Sequence, residues 1–220
     1  MITTDTSIYI FDICGTLYKS NTTFDFLGWM FKENKKFLLY KKVYTNIVWK
    51  IFNKILRHFF HIDLTRILAL QFLKGINKEA LSKKADEFVG SFLSTKKNND
   101  IIGALNKLKE NTSNVIIMSA TIDIVAEAIA KSLQIEHFGS SLLKYEDNVC
   151  QGYLVRDLLG NKASYLKQSA NIAAVFTDDL SDADILDFAK EKNIIIYKKT
   201  AHKWSKLIKR KKWNANLIHC

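Results

Sequence analysis

"SIYIFDICGTLYKS", Ser7–Ser20, is a run of strand-forming residues interrupted by a carboxylate. Ile8 to Ile13 are apolar apart from Asp12 and are bounded by Ser7 and Gly15, which predicts a short buried strand. After Leu17 the character changes, and from Thr23 to about Leu93 the pattern is helical. A lone apolar strand has nowhere to bury itself, so its sheet must come from further along the chain.

The segments after residue 98 supply that sheet. Ile101–Lys109 reads as a helix and NVIIM (114–118) as a buried strand. Ile122–Leu133 reads as a helix with Ile122, Val125, Ile129 and Leu133 on one face. SSLLKYEDNVCQGYLV (140–155) reads as a hairpin turning near Asp147-Asn148. There follow a helix over Lys162–Ala170, a strand IAAVFT (172–177), a helix over Ala183–Lys192, with Asp184 and Asp187 on its exposed face, and a strand IIIY (194–197). Strands alternating with helices predict a mostly parallel sheet covered on both faces. The expected fold class is α/β. A Rossmann-like three-layer core is formed by residues 1–18 and 98–220, and an α-helical cap, residues 19–97, is inserted into it.

Within the cap, FLLYKKVYTNIVWKIFNKILRHFF (37–60) places Tyr44, Ile47, Val48, Ile51, Ile55 and Phe59 on one stripe. Lys42, Thr45, Asn46, Lys50, Asn53, Lys54 and Arg57 fall away from it, predicting one amphipathic helix with a cationic polar face. Leu64–Leu73 and EALSKKADEFVGSFL (79–93) complete a small bundle. The expectation is that the stripe is the apolar core of the cap, with its basic face solvated and His58 and His61 at the surface or in packing. The alternative is peripheral contact of this aromatic, lysine-rich surface with an anionic membrane.

The net charge of +11 favours anionic partners: phosphorylated metabolites, nucleic acid or an acidic membrane. No recognition motif accompanies the basic tail KKTAHKWSKLIKRKKW (198–213), which argues against nucleic acid. Cys14, Cys150 and Cys220 lack metal-ligand spacing and read as reduced thiols of a cytoplasmic protein. Neither a secretory signal nor a membrane span is expected.

In an open α/β sheet, ligands bind beyond the carboxyl ends of the strands. The first strand ends at Asp12, NVIIM at Ser119, and IAAVFT at Asp178 and Asp179, with Asp182 one turn on; Lys162 opens the helix after the hairpin. Clustered carboxylates repel one another, and Mg²⁺ relieves this while leaving room for water and a substrate phosphate. A lysine and a hydroxyl beside it can hold the remaining phosphate oxygens. Such a site suits phosphoryl chemistry, with Asp12 free to attack phosphorus.

These stations carry a resemblance. YIFDICGTLY resembles the first motif of the haloacid dehalogenase superfamily, D-x-D-G-T-L, and VIIMSAT its second, a strand ending in Ser or Thr. GNKASYL resembles the third, with its lysine. VFTDDLSDADIL resembles the fourth, G-D-S-x-x-D, with Thr177 in place of Gly and Asp179 in place of Ser. The helical insertion and the hairpin look most like the phosphoserine-phosphatase-like branch. The resemblance implies a Mg²⁺-dependent phosphatase acting on a phosphorylated small molecule. Asp12 would be nucleophile and metal ligand, the Cys14 backbone carbonyl and Asp178 further ligands, and Asp182 a direct or water-mediated one. Thr16, Ser119 and Lys162 would form the phosphate-binding set, with Thr16 also ordering the loop after the first strand.

Where the family has a second aspartate as general acid and base, this chain has Cys14. A thiol is a weak hydrogen-bond donor and a poor base at neutral pH. Losing such help costs about 10²–10⁴ in rate. Three readings follow: a phosphomonoesterase suited to good leaving groups, a catalytically impaired phosphate- or membrane-binding relative, or a member cleaving carbon–phosphorus or carbon–halogen bonds.

Overall fold

A computed structural model describes residues 7–60, 62–111, 114–166 and 171–220. The first strand is β1, Ile8–Phe11. Five helices follow it: α1 (Thr22–Met30), α2 (Lys35–Thr45), α3 (Ile47–Phe60), α4 (Leu64–Leu70) and α5 (Lys78–Ser91). The chain then alternates through α6 (Asn99–Asn111), β2 (Val115–Ile122), α7 (Asp123–Ser132), β3 (His137–Glu146), β4 (Val149–Arg156), β5 (Ile172–Thr177), α8 (Ala183–Leu186), β6 (Glu191–Ile196), α9 (Ala201–Lys211) and β7 (Asn216–His219). The sheet order is β4-β3-β2-β1-β5-β6-β7, parallel except for the β3–β4 hairpin.

Strand β1 lies centrally because both its faces are apolar. Ile8 and Ile10 pack on one side with Trp204, Ile185 and Leu186, while Phe11 packs on the other and stacks on Phe176 at 4.3 Å. Its neighbours set the site. Phe11 pairs with Ile117 of β2 and Phe176 of β5, so Asp12 emerges between the ends of both strands. The hairpin turn falls at Asp147 and Asn148, both left-handed (φ 47° and 63°), as a two-residue turn of this type requires.

The helical insertion shares the core of the sheet. Phe26 and Leu27 of α1 and Leu81, Ala85 and Phe88 of α5 join Phe11, Ile117 and Val125 in one apolar cluster.

Several expectations are corrected. The single helix expected over 37–60 is two. Asn46 leaves helical geometry (ψ 143°), and its side chain accepts from the Val48 N–H at 2.8 Å, so it ends α2 and caps α3. The apolar stripe of α3 is not a core face: α3 buries no residue completely, and Ile47, Val48 and Phe59 are 67%, 71% and 68% exposed. The helix expected from Lys162 to Ala170 begins with a 3₁₀ turn, Ala163–Tyr165, and stops at Leu166, which is extended; 167–170 and His61 lie outside the described residues. Strand β2 runs on through Ser119 to Ile122, with its register to β3 shifting after Met118. Helix α8 is a single turn, so β6 starts early, at Glu191. Asp184 is not simply an exposed polar residue, since it accepts the Ala163 N–H at 2.9 Å. The tail forms α9 and edge strand β7, neither of which was expected.

Truncating a side chain costs stability in proportion to what it buries. Phe88→Ala, fully buried, is expected to lower unfolding free energy by about 3–5 kcal/mol. Phe59→Ala is expected to stay within about 0.5 kcal/mol of the parent. Urea unfolding of both variants checks the pair, and a comparable loss at Phe59 would return the α3 stripe to the core.

Candidate active site

Asp12 follows β1 directly and is buried, its N–H donating to the Phe176 carbonyl at 2.9 Å. Lys162 reaches it from the loop after the hairpin. The Lys162 ammonium donates to Asp12 Oδ1 and to Asp182 Oδ2, both at 2.6 Å, and is itself 3% exposed. Thr177 Oγ1 also donates to Asp182 Oδ2, at 2.6 Å, and receives the Asp179 N–H at 3.0 Å. Asp184 anchors the residue after Lys162, so two acids on the 182–184 turn fix one lysine.

The loop after β1 is fixed as tightly. Gly15 has φ +71°, and a methyl group there would overlap the Asp178 carboxylate, so glycine is required on both counts. Thr16 Oγ1 receives the Asp178 N–H at 3.0 Å, and Tyr197 Oη donates to the Gly15 carbonyl at 2.7 Å. Trp204 of α9, fully buried, donates through Nε1 to the Asp178 carbonyl at 3.2 Å. Tyr197 thus holds the first acidic loop, and Trp204 of the tail the second. The tail's signal was in the sequence: Trp204, Leu207 and Ile208 have helical spacing amid lysines.

The Cys14 side chain points into a cluster of hydroxyls. Its Sγ lies 3.0 Å from Thr22 Oγ1 and 3.3 Å from Thr121 Oγ1; these two oxygens are 2.7 Å apart, and Thr121 is 3.1 Å from Ser119 Oγ. Thr22 and Thr121 are buried polar residues that the sequence reading passed over. Arg66 was also missed. This buried arginine in α4 donates from Nη1 to both carboxylate oxygens of Asp157 (2.6 and 2.7 Å) and from Nη2 to the Ala120 carbonyl. A single charge within LTRILAL was the available hint.

The structure brings Asp12, Cys14, Ser119, Lys162, Asp179 and Asp182 to one cavity of about 160 Å³, whose wall also includes Arg57, Asp63 and Arg66. It opens beside a wider groove of about 780 Å³ along α3, lined by Lys50, Asn53, Lys54 and Arg57. Asp178 and Thr16 stand behind the Gly15 turn rather than in the cavity wall.

Charge in this site is unbalanced. Burial raises the Asp12 carboxyl above its usual range against the pull of Lys162. Burial and the neighbouring Asp12, Asp179 and Asp182 push Asp178 to about 8. Burial lifts Asp182 to about 7, with Lys162 opposing and Asp12 adding. Burial pulls the Lys162 ammonium down, but Asp12 and Asp182 outweigh it and hold the lysine above its ordinary value. Burial and Asp12 raise the Cys14 thiol, keeping it protonated.

Four carboxylates against one ammonium, all oxygen donors, fit a hard divalent cation. Among the described residues no three His, Cys, Asp or Glu side chains are grouped closely enough to hold one alone. An ion would therefore need backbone or water oxygens as well. Asp182, whose Oδ2 is engaged by Lys162 and Thr177, has only its other oxygen to offer.

The sequence profile of haloacid dehalogenase-like hydrolases matches residues 9–187. No curated protein matches the sequence. Among solved structures, a protein of unknown function from Bordetella pertussis Tohama I is similar over 96% of this chain and 97% of its own, at 12% identity and TM-score 0.72. A substrate-bound phosphoserine phosphatase is similar over 96% and 92%, at 15% identity and TM-score 0.60. Cytosolic 5'-nucleotidase IIIB bound to cytidine is similar over 92% and 77%, at 11% identity and TM-score 0.63. These likenesses establish a shared fold.

Removing one partner of a buried ionic network leaves the others uncompensated. Lys162→Met is expected to lower stability by about 3–5 kcal/mol at neutral pH without divalent ions. An unchanged urea midpoint would show that Asp12 and Asp182 carry no charge in the parent protein.

Proposed function

The chain belongs to the haloacid dehalogenase-like hydrolase family, and from this premise we propose that it hydrolyses phosphate monoesters through an aspartyl-phosphate on Asp12, with Mg²⁺ as cofactor. The substrate is a small phosphorylated metabolite, sugar or lipid. The observation that carries this reading is the buried Lys162 bridge between Asp12 and Asp182, beside the Ser119 hydroxyl at the floor of one cavity. A nucleophilic carboxylate, a fixed cation and a hydroxyl within one phosphate-sized space are what in-line phosphoryl transfer needs.

In this reading an Asp12 oxygen attacks phosphorus, and the bond from phosphorus to the leaving oxygen breaks. Water then attacks the aspartyl-phosphate, releasing phosphate and regenerating the carboxylate. Lys162 and Ser119 hold the phosphoryl oxygens, and Lys162 aims Asp12 and favours its ionised form against the effect of burial. Mg²⁺ held by Asp12, Asp178, the Cys14 carbonyl and Asp182, directly or through water, would neutralise phosphoryl charge. Thr16 and Gly15 keep Asp178 in place.

Position 14 sets the preference for substrate. A protonated thiol is a poor base and a weak donor, so leaving groups that depart without a proton are favoured. The acidic cluster around Asp12 argues against halide displacement, in which repelled anions would gain nothing.

An aryl phosphate tests this directly, because its leaving group needs little help. Turnover with Mg²⁺ is expected, and is expected to fall to background with a chelator or in Asp12→Asn. Equal rates for the parent and Asp12→Asn would assign the chain to the non-catalytic, phosphate-binding class.

Restoring the acid should widen the substrate range. Cys14→Asp is expected to raise kcat/KM on alkyl phosphates by about tenfold or more while changing aryl phosphate turnover far less. A fall on both substrates would refute the account of position 14.

A further inference from the structure

Helix α3 turns its most apolar face away from the protein. Its half-buried stripe is Trp49, Asn53 and Leu56. Polar bonds pin that stripe: Trp49 Nε1 donates to Thr65 Oγ1 at 2.8 Å, and Asn53 Nδ2 donates to Asp63 Oδ1 at 3.0 Å. The Asn53 side-chain oxygen Oδ1 accepts the Thr65 N–H at 3.1 Å. With that side fixed inward, the ridge of Ile47, Val48, Ile51, Phe52, Ile55 and Phe59 stands in solvent, each residue 47–71% exposed. Leu39 (65%) and Val43 (42%) of the adjoining α2 are exposed as well. Monomeric soluble proteins rarely leave so large an apolar surface uncovered.

Charge identifies what covers it. Residues 35–60 contain seven lysines and arginines and no aspartate or glutamate. Lys50 and Lys54, four residues apart, run along one border of the ridge, and both are exposed. We propose that α3 docks the chain on an anionic bilayer, its apolar ridge entering the boundary between headgroups and acyl chains while the flanking lysines meet lipid phosphates. Short amphipathic helices with apolar and aromatic residues opposite lysines bind such surfaces in this way. A second copy is a poorer occupant, because pairing α3 with itself would juxtapose two all-cationic segments of chains already carrying +11 each. The helix lies on the membrane and does not cross it. Its 14 residues are too few, and among the described residues no helix is long and apolar enough to span.

The ridge lies outside the groove that leads to Asp12. Lys50, Lys54 and Arg57 line that groove, whereas none of the six ridge residues does. The apolar contact is therefore separate from the groove, whose rim shares Lys50 and Lys54 with the lipid-facing border, and the inference stands whether or not the chain is a phosphatase.

Sedimentation of the full chain with vesicles tests it. Binding is expected to equimolar phosphatidylglycerol and phosphatidylcholine but not to phosphatidylcholine alone, and to weaken on raising salt from about 0.1 to about 0.5 M. The pair Ile51→Ser and Phe59→Ser, and separately the pair Lys50→Glu and Lys54→Glu, are each expected to lower partitioning about tenfold or more. All four side chains are exposed, so unchanged circular dichroism and Tm are expected for both variants. Partitioning that ignores lipid charge, or that survives both pairs of substitutions, would overturn the proposal. So would a concentration-dependent dimer, seen by sedimentation velocity and abolished by Ile51→Ser with Phe59→Ser, because it would assign the ridge to a second copy.

Discussion

One ammonium group organises the site. Lys162 is fully withdrawn from water and touches two carboxylates from opposite ends of the chain, Asp12 beside β1 and Asp182 beyond β5. A buried lysine without partners would lose its proton, and two buried carboxylates without a cation would regain theirs. Together, the lysine and the carboxylates each favour the charged form of the other, and the strands that carry them must stay adjacent for this to hold. Because β1 lies between β2 and β5, the same contact fixes where Ser119 and Asp178 can be.

Much of this was legible in the sequence. Period and apolar runs locate β1, β2, β5 and the hairpin, because strands buried on both faces consist of little else than Ile, Val and Phe. The site residues were legible because strand ends in such sheets are exposed to ligand, so a carboxylate there stands out from its neighbours. Asp12, Ser119, Lys162 and Asp182 do meet. The short segments were harder to read. Leu166 and the single turn of α8 depend on tertiary contacts that outweigh helix propensity, as when Asp184 captures the Ala163 N–H. The break at Asn46 carried a readable signal, since Asn is a preferred cap, but the apolar period runs straight across it.

The α3 ridge shows a deeper limit. Amphipathicity says that a helix has an apolar face; it does not say what lies against that face. The hydrogen bonds of Trp49 and Asn53 to the start of α4 show which side faces inward. The hydroxyls of Thr22 and Thr121 were illegible for a related reason. Thr121 reaches Cys14 and Thr22 from about a hundred positions away, and no local pattern announces it.

The shared apolar cluster constrains how a substrate can reach Asp12. Phe26, Leu27 and Phe88 are sealed into the same interior as Phe11 and Ile117. Swinging the entire insertion outward would return these side chains to water, at about 1.5–3 kcal/mol for each one uncovered. The smaller displacement is at the cavity wall, where Arg57 and Asp63 stand 3.8 Å apart. Asp12 thus lies behind a charged lip whose apolar backing is the protein's own interior.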